Sequence, residues 1–184
     1  MALSEEDFKN AADTLGCEIP AIKAVAEVES GPYGAFLPTG EPVILFERHL
    51  FSKLTKKKYD GSHPGISNPK PGGYGPVSKQ HARLQEAAEL DKDAALQACS
   101  WGRFQVLAMN WKALEYPSLQ DFVNSMYKDE AGHLDSFVRF VKTNGLAKHL
   151  KNHNWAAFAK GYNGPNYLKF KYNTKLAAAY EKFK

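Results

Sequence analysis

Cysteine is scarce in this sequence: of 184 residues, only Cys17 and Cys99 carry thiols. Two cysteines cannot frame a disulfide scaffold, so the fold has to rest on a hydrophobic core. Both read as buried thiols, and whether they pair is left open. Long apolar runs are missing too. The longest clean one, about Val43 to Phe46, is far short of the roughly 20 residues that span a bilayer. The start, Met1-Ala2-Leu3-Ser4-Glu5-Glu6, is acidic and lacks the basic segment and apolar stretch of a secretory signal, so no signal peptide is expected. There is no phosphate-cradling loop either: Gly72-Gly73-Tyr74-Gly75 has neither the spacing nor the Lys-Ser/Thr ending that such loops need. No Ser-His-Asp arrangement, repeat or disordered tract stands out. His149 and His153 have the i, i+4 spacing of two zinc ligands, but no glutamate adjoins the first and no third ligand is near in sequence. No metal and no cofactor is therefore expected.

What is present suits a single domain over residues 1–184, with 43% hydrophobic residues and enough length to bury a sizeable core. The net charge of +4 is unevenly spread. Residues 1–92 carry −2 and residues 93–184 carry +6. A basic half favours an anionic partner, although a solvated basic face is common in small domains. No nucleic-acid motif accompanies it, and nucleic acid is not expected as a partner.

Ser4 with Asp7 three residues on forms a variant capping box for a first helix, which Gly16 ends. Pro20 suits the first turn of a second helix, from Ile19 or Pro20 to Ser30, which Gly31-Pro32 stops. Glycine and proline then crowd residues 31–76. Within that stretch Pro42 to Phe46 reads as a short strand, Arg48 to Leu54 as a short helix, and Lys56 to Pro76 as a long polar loop. Helical pattern resumes over Val77–Glu89, Asp91–Cys99, Asn110–Glu115, Ser118–Tyr127, Glu130–Lys142, Leu146–Lys151 and Trp155–Lys160. A basic amphipathic helix follows, over about 166–184. The expected class is α+β, mainly α-helical, with a small β-hairpin or sheet beside a cleft between two helical regions.

The second helix carries the chemistry. Ile22, Val25, Ala26 and Glu29 fall at i, i+3, i+4 and i+7 and share one apolar stripe. Glu27 lies roughly 200° away, four residues after Lys23, where a solvated ion pair would suit it. Glu29 is thus the inward carboxyl. Burial and the helix C-terminus both disfavour its charge, so its pKa should rise. A glutamate protonated near neutral pH is what a general acid needs to protonate a glycosidic oxygen. The alternative is a structural glutamate paired with Arg48, Arg103 or another cation.

Three segments, in order, complete the pattern: Glu29-Ser30-Gly31, Ser100-Trp101-Gly102-Arg103-Phe104-Gln105, and Gly161-Tyr162-Asn163-Gly164. They resemble the landmarks of goose-type lysozymes and soluble lytic transglycosylases. With Pro42-Val43-Ile44-Leu45-Phe46-Glu47-Arg48-His49 and the Gly72–Gly75 loop, nearly the whole chain resembles the N-acetylmuramidase domain of phage endolysins. The resemblance implies a lysozyme-like fold. It also implies cleavage of the β-1,4 bond between N-acetylmuramic acid and N-acetylglucosamine in bacterial peptidoglycan. Glu29 would be the proton donor, and Ser100, Gln105, Tyr162, Asn163 and Tyr74 would bind substrate. Gln105 offers both a donor and an acceptor, which suits N-acetyl groups. Gly102 and Gly164 would admit close approach of a polymer, while Trp101 and Phe104 divide between core packing and ligand contact.

Glu47, just after the strand, is the candidate for a second carboxylate, ahead of Glu41 and Asp60. Its flanking Arg48 and His49 would equally hold it in an ion pair. Lytic transglycosylases manage with one carboxyl and release 1,6-anhydro ends, so that outcome stays open, as does a non-catalytic wall-binding module. The resemblance further implies a monomer made in the cytoplasm of a host cell, acting on the wall after release.

Near the C-terminus, Leu168, Tyr172, Leu176, Ala179, Tyr180 and Phe183 trace an apolar stripe flanked by Lys169, Lys171, Lys175, Lys182 and Lys184. Such a helix can lie on an anionic membrane or lipopolysaccharide. Packing of the stripe on the domain is the favoured reading.

Overall fold

The computed structural model describes residues 2–31 and 33–184. Helix α1 (Glu5–Leu15) starts at the expected capping box: the Asp7 N–H donates to Ser4 Oγ, and the Ser4 N–H donates to Asp7 Oδ2 at 2.8 Å. Gly16 closes it in the left-handed conformation at φ 63°. Helix α2 (Ile19–Glu29) has proline in its first turn, and Ser30 is its C-cap rather than its last helical residue. The expected stop at Gly31-Pro32 includes Pro32, which lies outside the described residues.

The β element is a three-stranded antiparallel sheet in the order β1 (Ile44–Phe46), β2 (Cys99–Trp101), β3 (Val106–Leu107). Leu45 stands opposite Ser100, and Ser100 stands opposite Leu107. The sequence reading made Cys99 the end of a helix. Instead α5 (Lys92–Gln97) ends earlier and the chain turns into β2. Strands of two and three residues leave no alternation to read, and their pairing partner is more than fifty residues away for β1.

Helices α3 (Arg48–Leu54), α4 (Gln80–Leu90) and α5 gather around the sheet. Val77–Lys79 is a 3₁₀ turn leading into α4 rather than its first turn. Of Asn110–Glu115, expected as helix, Asn110 ends a 3₁₀ turn that starts at Ala108 and the rest forms a series of turns. Glu115 is left-handed at φ 59° and Pro117 follows, so the backbone cannot continue as a helix there. Helices α6 (Leu119–Lys128), α7 (Glu130–Thr143), α8 (Ala147–Lys151) and α9 (Trp155–Asn163) come next, and α10 (Tyr172–Phe183) closes the chain. The core runs through both helical regions, with Phe46, Phe51, Trp101, Phe104, Phe122, Phe137 and Phe158 fully buried. Trp101 and Phe104 are therefore core residues, and Phe104 also backs the cleft at the end of α2. Cys17 and Cys99 are both free thiols.

Helix α2 sits at the centre, packed by α1 on one side and α10 on another. Its small residues Ala21 and Ala24 are fully buried in a cluster with Ala179 and Tyr180 of α10. The stripe of the last helix is thus used on α2. This helix begins at Tyr172, later than expected, and residues before it form turns that leave Leu168 and Phe170 exposed. Its packing also explains the ion pairs. Glu27 is exposed, as helical phase requires, yet it pairs with Lys182 of α10 at 2.6 Å, while Lys23 pairs with Glu5 of α1 at 2.7 Å. Tertiary neighbours replaced the expected Lys23–Glu27 pair. Among the described residues, no helix is long and apolar enough to cross a membrane.

Candidate active site

The C-terminal end of α2 opens onto a cleft of about 450 Å³. Its floor is Val43, just before β1, and Leu45 of β1, together with Ser100 of β2. One wall is the turn Gly102–Gln105, and the opposite side comes from the end of α9 and from Tyr172 of α10. Glu29, Ser100, Gln105, Tyr162 and Asn163, five of the residues singled out from sequence, all line it. Tyr33, Val77, Arg103 and Tyr172 line it as well. Glu47 and Tyr74 are not among the lining residues. Glu47 lies two residues beyond Leu45, on the same strand face, so it stands past the end of this floor.

Glu29 has the environment that its helical phase called for. Burial raises its pKa from 4.5 to about 7, against lowering by a hydrogen bond from Asn163 and by the charge of Lys175. The Asn163 amide nitrogen donates to Glu29 Oε1 at 2.9 Å. The second carboxyl oxygen is left for a proton. No ion-pair partner holds Glu29 among the described residues. Arg103, one expected alternative, points elsewhere: it pairs with Glu130 at 2.8 Å and donates to Ser30 Oγ and the Ala26 carbonyl. It thereby holds the last turn of α2, just behind Glu29.

Tyr162 and Asn163 belong to α9, with Gly164 ending the helix at φ 81°. The sequence pattern ended this helix at Lys160, three residues earlier. Adjacent helical residues point about 100° apart, so the two divide their tasks. Asn163 faces Glu29. Tyr162 packs among Phe137, Phe140 and Phe158, and its hydroxyl donates to the Phe104 carbonyl at 2.7 Å. Its polar atom is committed to fixing the wall of the cleft. Asn163 Oδ1 is buried without a hydrogen-bond partner, an acceptor facing the site.

Gln105 is left-handed at φ 49°, and its side-chain nitrogen donates to the Gly102 carbonyl at 2.9 Å. Its Oε1 remains an acceptor. The turn that presents it depends on His133 of α7, which the sequence reading missed. The Arg103 N–H donates to His133 Nδ1 at 3.1 Å, so Nε2 carries the proton and donates to the Met126 carbonyl at 2.7 Å. A Cβ on Gly102 would meet the His133 ring at 2.7 Å. Glycine there makes room for the histidine as well as adopting φ 70°. No local signal marks His133, because the Arg103 amide that it holds is thirty residues away in sequence.

Glu47 occupies a different setting. Burial raises its pKa, opposed by His49 and by the Tyr74 hydroxyl. His49 Nδ1 is 3.6 Å away and the Tyr74 hydroxyl 3.5 Å. Glu41 lies near His81, and Asp60 accepts from Ser52 and Ser67. His153 packs against Trp155 and Tyr180.

The chain matches the family model of N-acetylmuramidases over residues 18–184. It is similar to the crystal structure of a Burkholderia AP3 phage endolysin, with 39% sequence identity and a TM-score of 0.92. That likeness covers 98% of this chain and 71% of the endolysin chain. No curated protein matches it. A glutamate whose pKa burial raises to about 7, at the edge of a cleft, and a family match across most of the sequence point the same way: this chain belongs to the N-acetylmuramidase family and is a peptidoglycan-cleaving glycosidase.

Proposed function

We propose that the enzyme hydrolyses the β-1,4 bond between N-acetylmuramic acid and N-acetylglucosamine, with Glu29 as general acid. The observation that carries this reading is the state of Glu29. It is the one carboxyl lining the cleft among the described residues, its pKa stands at about 7, and Asn163 occupies only one of its oxygens. The free oxygen donates its proton to the leaving glycosidic oxygen. The resulting carboxylate then accepts a proton from the attacking water, so that Glu29 ends the cycle protonated. Asn163 orients the carboxyl, and its unpartnered Oδ1 accepts from a sugar hydroxyl or from the incoming water. Gln105 Oε1 accepts the N–H of an N-acetyl group, and Ser100 supplies a hydroxyl on the floor. Glu47 and Tyr74 bind the strand beyond this floor rather than take part in bond cleavage. A wall-clearing assay on folded Glu29→Gln protein tests the assignment: activity at the wild-type level would overturn it and require another proton donor, whereas wild-type protein that binds wall but releases no reducing ends would leave a wall-binding role.

The lone carboxyl in the cleft also supports a second outcome. The muramic acid's own hydroxyl attacks in place of water and leaves a 1,6-anhydro end. Mass spectrometry of digested wall separates the two, because the transglycosylase product is lighter by one water.

By its likeness to the AP3 phage endolysin, the protein would act on the wall after release from the cytoplasm of a host bacterium, and so lyse that cell. Cytoplasmic expression that lyses cells only when a membrane pore is co-expressed would support this route. We place no membrane contact on the apolar stripe of α10, since α2 covers it.

A further inference from the structure

Beyond the cleft floor lies an arginine without an ion-pair partner among the described residues. The sequence holds four arginines. Three are engaged: Arg83 donates to the Gly65 carbonyl at 2.8 Å, Arg103 pairs with Glu130, and Arg139 pairs with Asp135 at 2.7 Å. Arg48 alone has no such partner on any guanidinium nitrogen among the described residues; its Nε is buried without an acceptor, as are those of Arg83 and Arg103, whose terminal nitrogens are engaged. A desolvated guanidinium donor with nothing to bond is unfavourable and calls for an acceptor. Glu47, its neighbour in sequence, turns to His49 and Tyr74 instead. Arg83 lies near enough to repel Arg48, which adds positive potential at the same spot.

The surroundings of Arg48 are built rather than loose. Gly73 lies against the guanidinium, at φ 67°, and a Cβ there would come within 2.6 Å of Arg48 Cζ. The loop carrying Gly73 is clamped to the sheet by buried Gln80. Its Nε2 donates to the carbonyls of Tyr74 at 2.6 Å and Pro76 at 3.1 Å, and its Oε1 accepts the Phe46 N–H at 2.9 Å. The same loop leads straight into Val77, which lines the cleft. A glycan strand lying along Val43 and Leu45 therefore meets this corner next.

We propose that Arg48, held under the Gly72–Gly75 loop, binds a carboxylate of the peptide stem borne by the glycan strand. The inference rests on the peptidoglycan-cleaving reading above. Chemistry selects the ligand: a guanidinium presents a planar fork that matches the two oxygens of a carboxylate, and peptide stems carry the carboxylates of the wall. The site would favour strands that bear stems over bare ones.

The test compares purified glycan strands bearing stems with the same strands stripped of stems by an amidase. Arg48→Gln should raise KM on stem-bearing strands roughly tenfold, with kcat kept, and leave bare strands unaffected. Gly73→Ala, which pushes the guanidinium aside without removing its charge, should act in the same direction, and Arg48→Lys should restore binding in part. Amidation of the stem carboxylates should erase the difference between wild type and Arg48→Gln. An equal KM change on both substrates, or none on either, would overturn the site. Wild-type protein that cleaves neither substrate would overturn instead the functional reading beneath it.

Discussion

Glu29 and Glu47 are both partly buried glutamates at the ends of short elements, and burial raises the pKa of each. Their company separates them. Glu29 closes α2 in a cleft with one amide donor on one oxygen and no ion-pair partner among the described residues. Glu47 follows β1 with a histidine and a tyrosine hydroxyl at 3.5–3.6 Å, outside the lining of that cleft. A carboxyl works as an acid near neutral pH when burial is opposed by little else, and a titratable neighbour removes that condition. The contrast teaches that a raised pKa marks a candidate, whereas the groups around it decide its task.

The largest expected effect tests the Glu29 side of this contrast. Glu29→Gln should cut turnover on the order of a thousandfold, within the range for loss of a general acid. It should also stabilise the fold. The folded-state pKa lies above the unfolded value, so the native state resists ionisation. Wild-type stability then declines as pH rises from about 4.5 and levels off above about 7. Removing the group relieves a cost of up to about 3 kcal/mol at alkaline pH. Denaturation of both proteins at pH 5 and pH 8 measures it, and a variant no more stable at pH 8 would contradict the assigned burial.

Next comes the amide that tunes the acid. The Asn163 hydrogen bond lowers the pKa of Glu29, so Asn163→Ala should shift the alkaline limb of the rate profile to higher pH. Turnover at neutral pH should fall about tenfold through lost orientation. An unmoved limb would remove Asn163 from contact with the acid.

The other carboxyl should respond more mildly. Glu47→Gln is expected to raise KM severalfold with kcat held within about threefold. A kcat loss as large as that of Glu29→Gln would instead make Glu47 the second catalytic carboxylate and erase the contrast.

The smallest effect concerns the frame. Tyr162→Phe leaves the Phe104 carbonyl without its donor and should cost about 1–2 kcal/mol of stability, read from chemical denaturation. Its pH profile should stay that of the wild type, because the tyrosine hydroxyl does not touch Glu29.

Much of this was legible before folding. The phase of Ile22, Val25, Ala26 and Glu29 turned one glutamate inward, the Ser4–Asp7 box and Gly16 bounded α1, and the β-branched run at Val43–Ile44 marked β1. These are effects among residues a few positions apart, where helical and strand periods act directly. The motif segments also named five residues that line the cleft. Missed were strands β2 and β3, His133, and the exchange of the Lys23–Glu27 pair for tertiary partners. Each depends on a neighbour that arrives from far along the chain.

The sequence alone determined which glutamate of α2 is buried, because the 3.6-residue period leaves Glu29 no other face once the stripe is buried. Only the tertiary structure decided what that glutamate meets. Asn163 lies 134 residues away and reaches Glu29 because α10 packs on α2 and on α9, setting the end of α9 over the end of α2. Local period fixes direction within a helix, whereas packing among distant helices fixes the partner, and the chemistry of this site needs both.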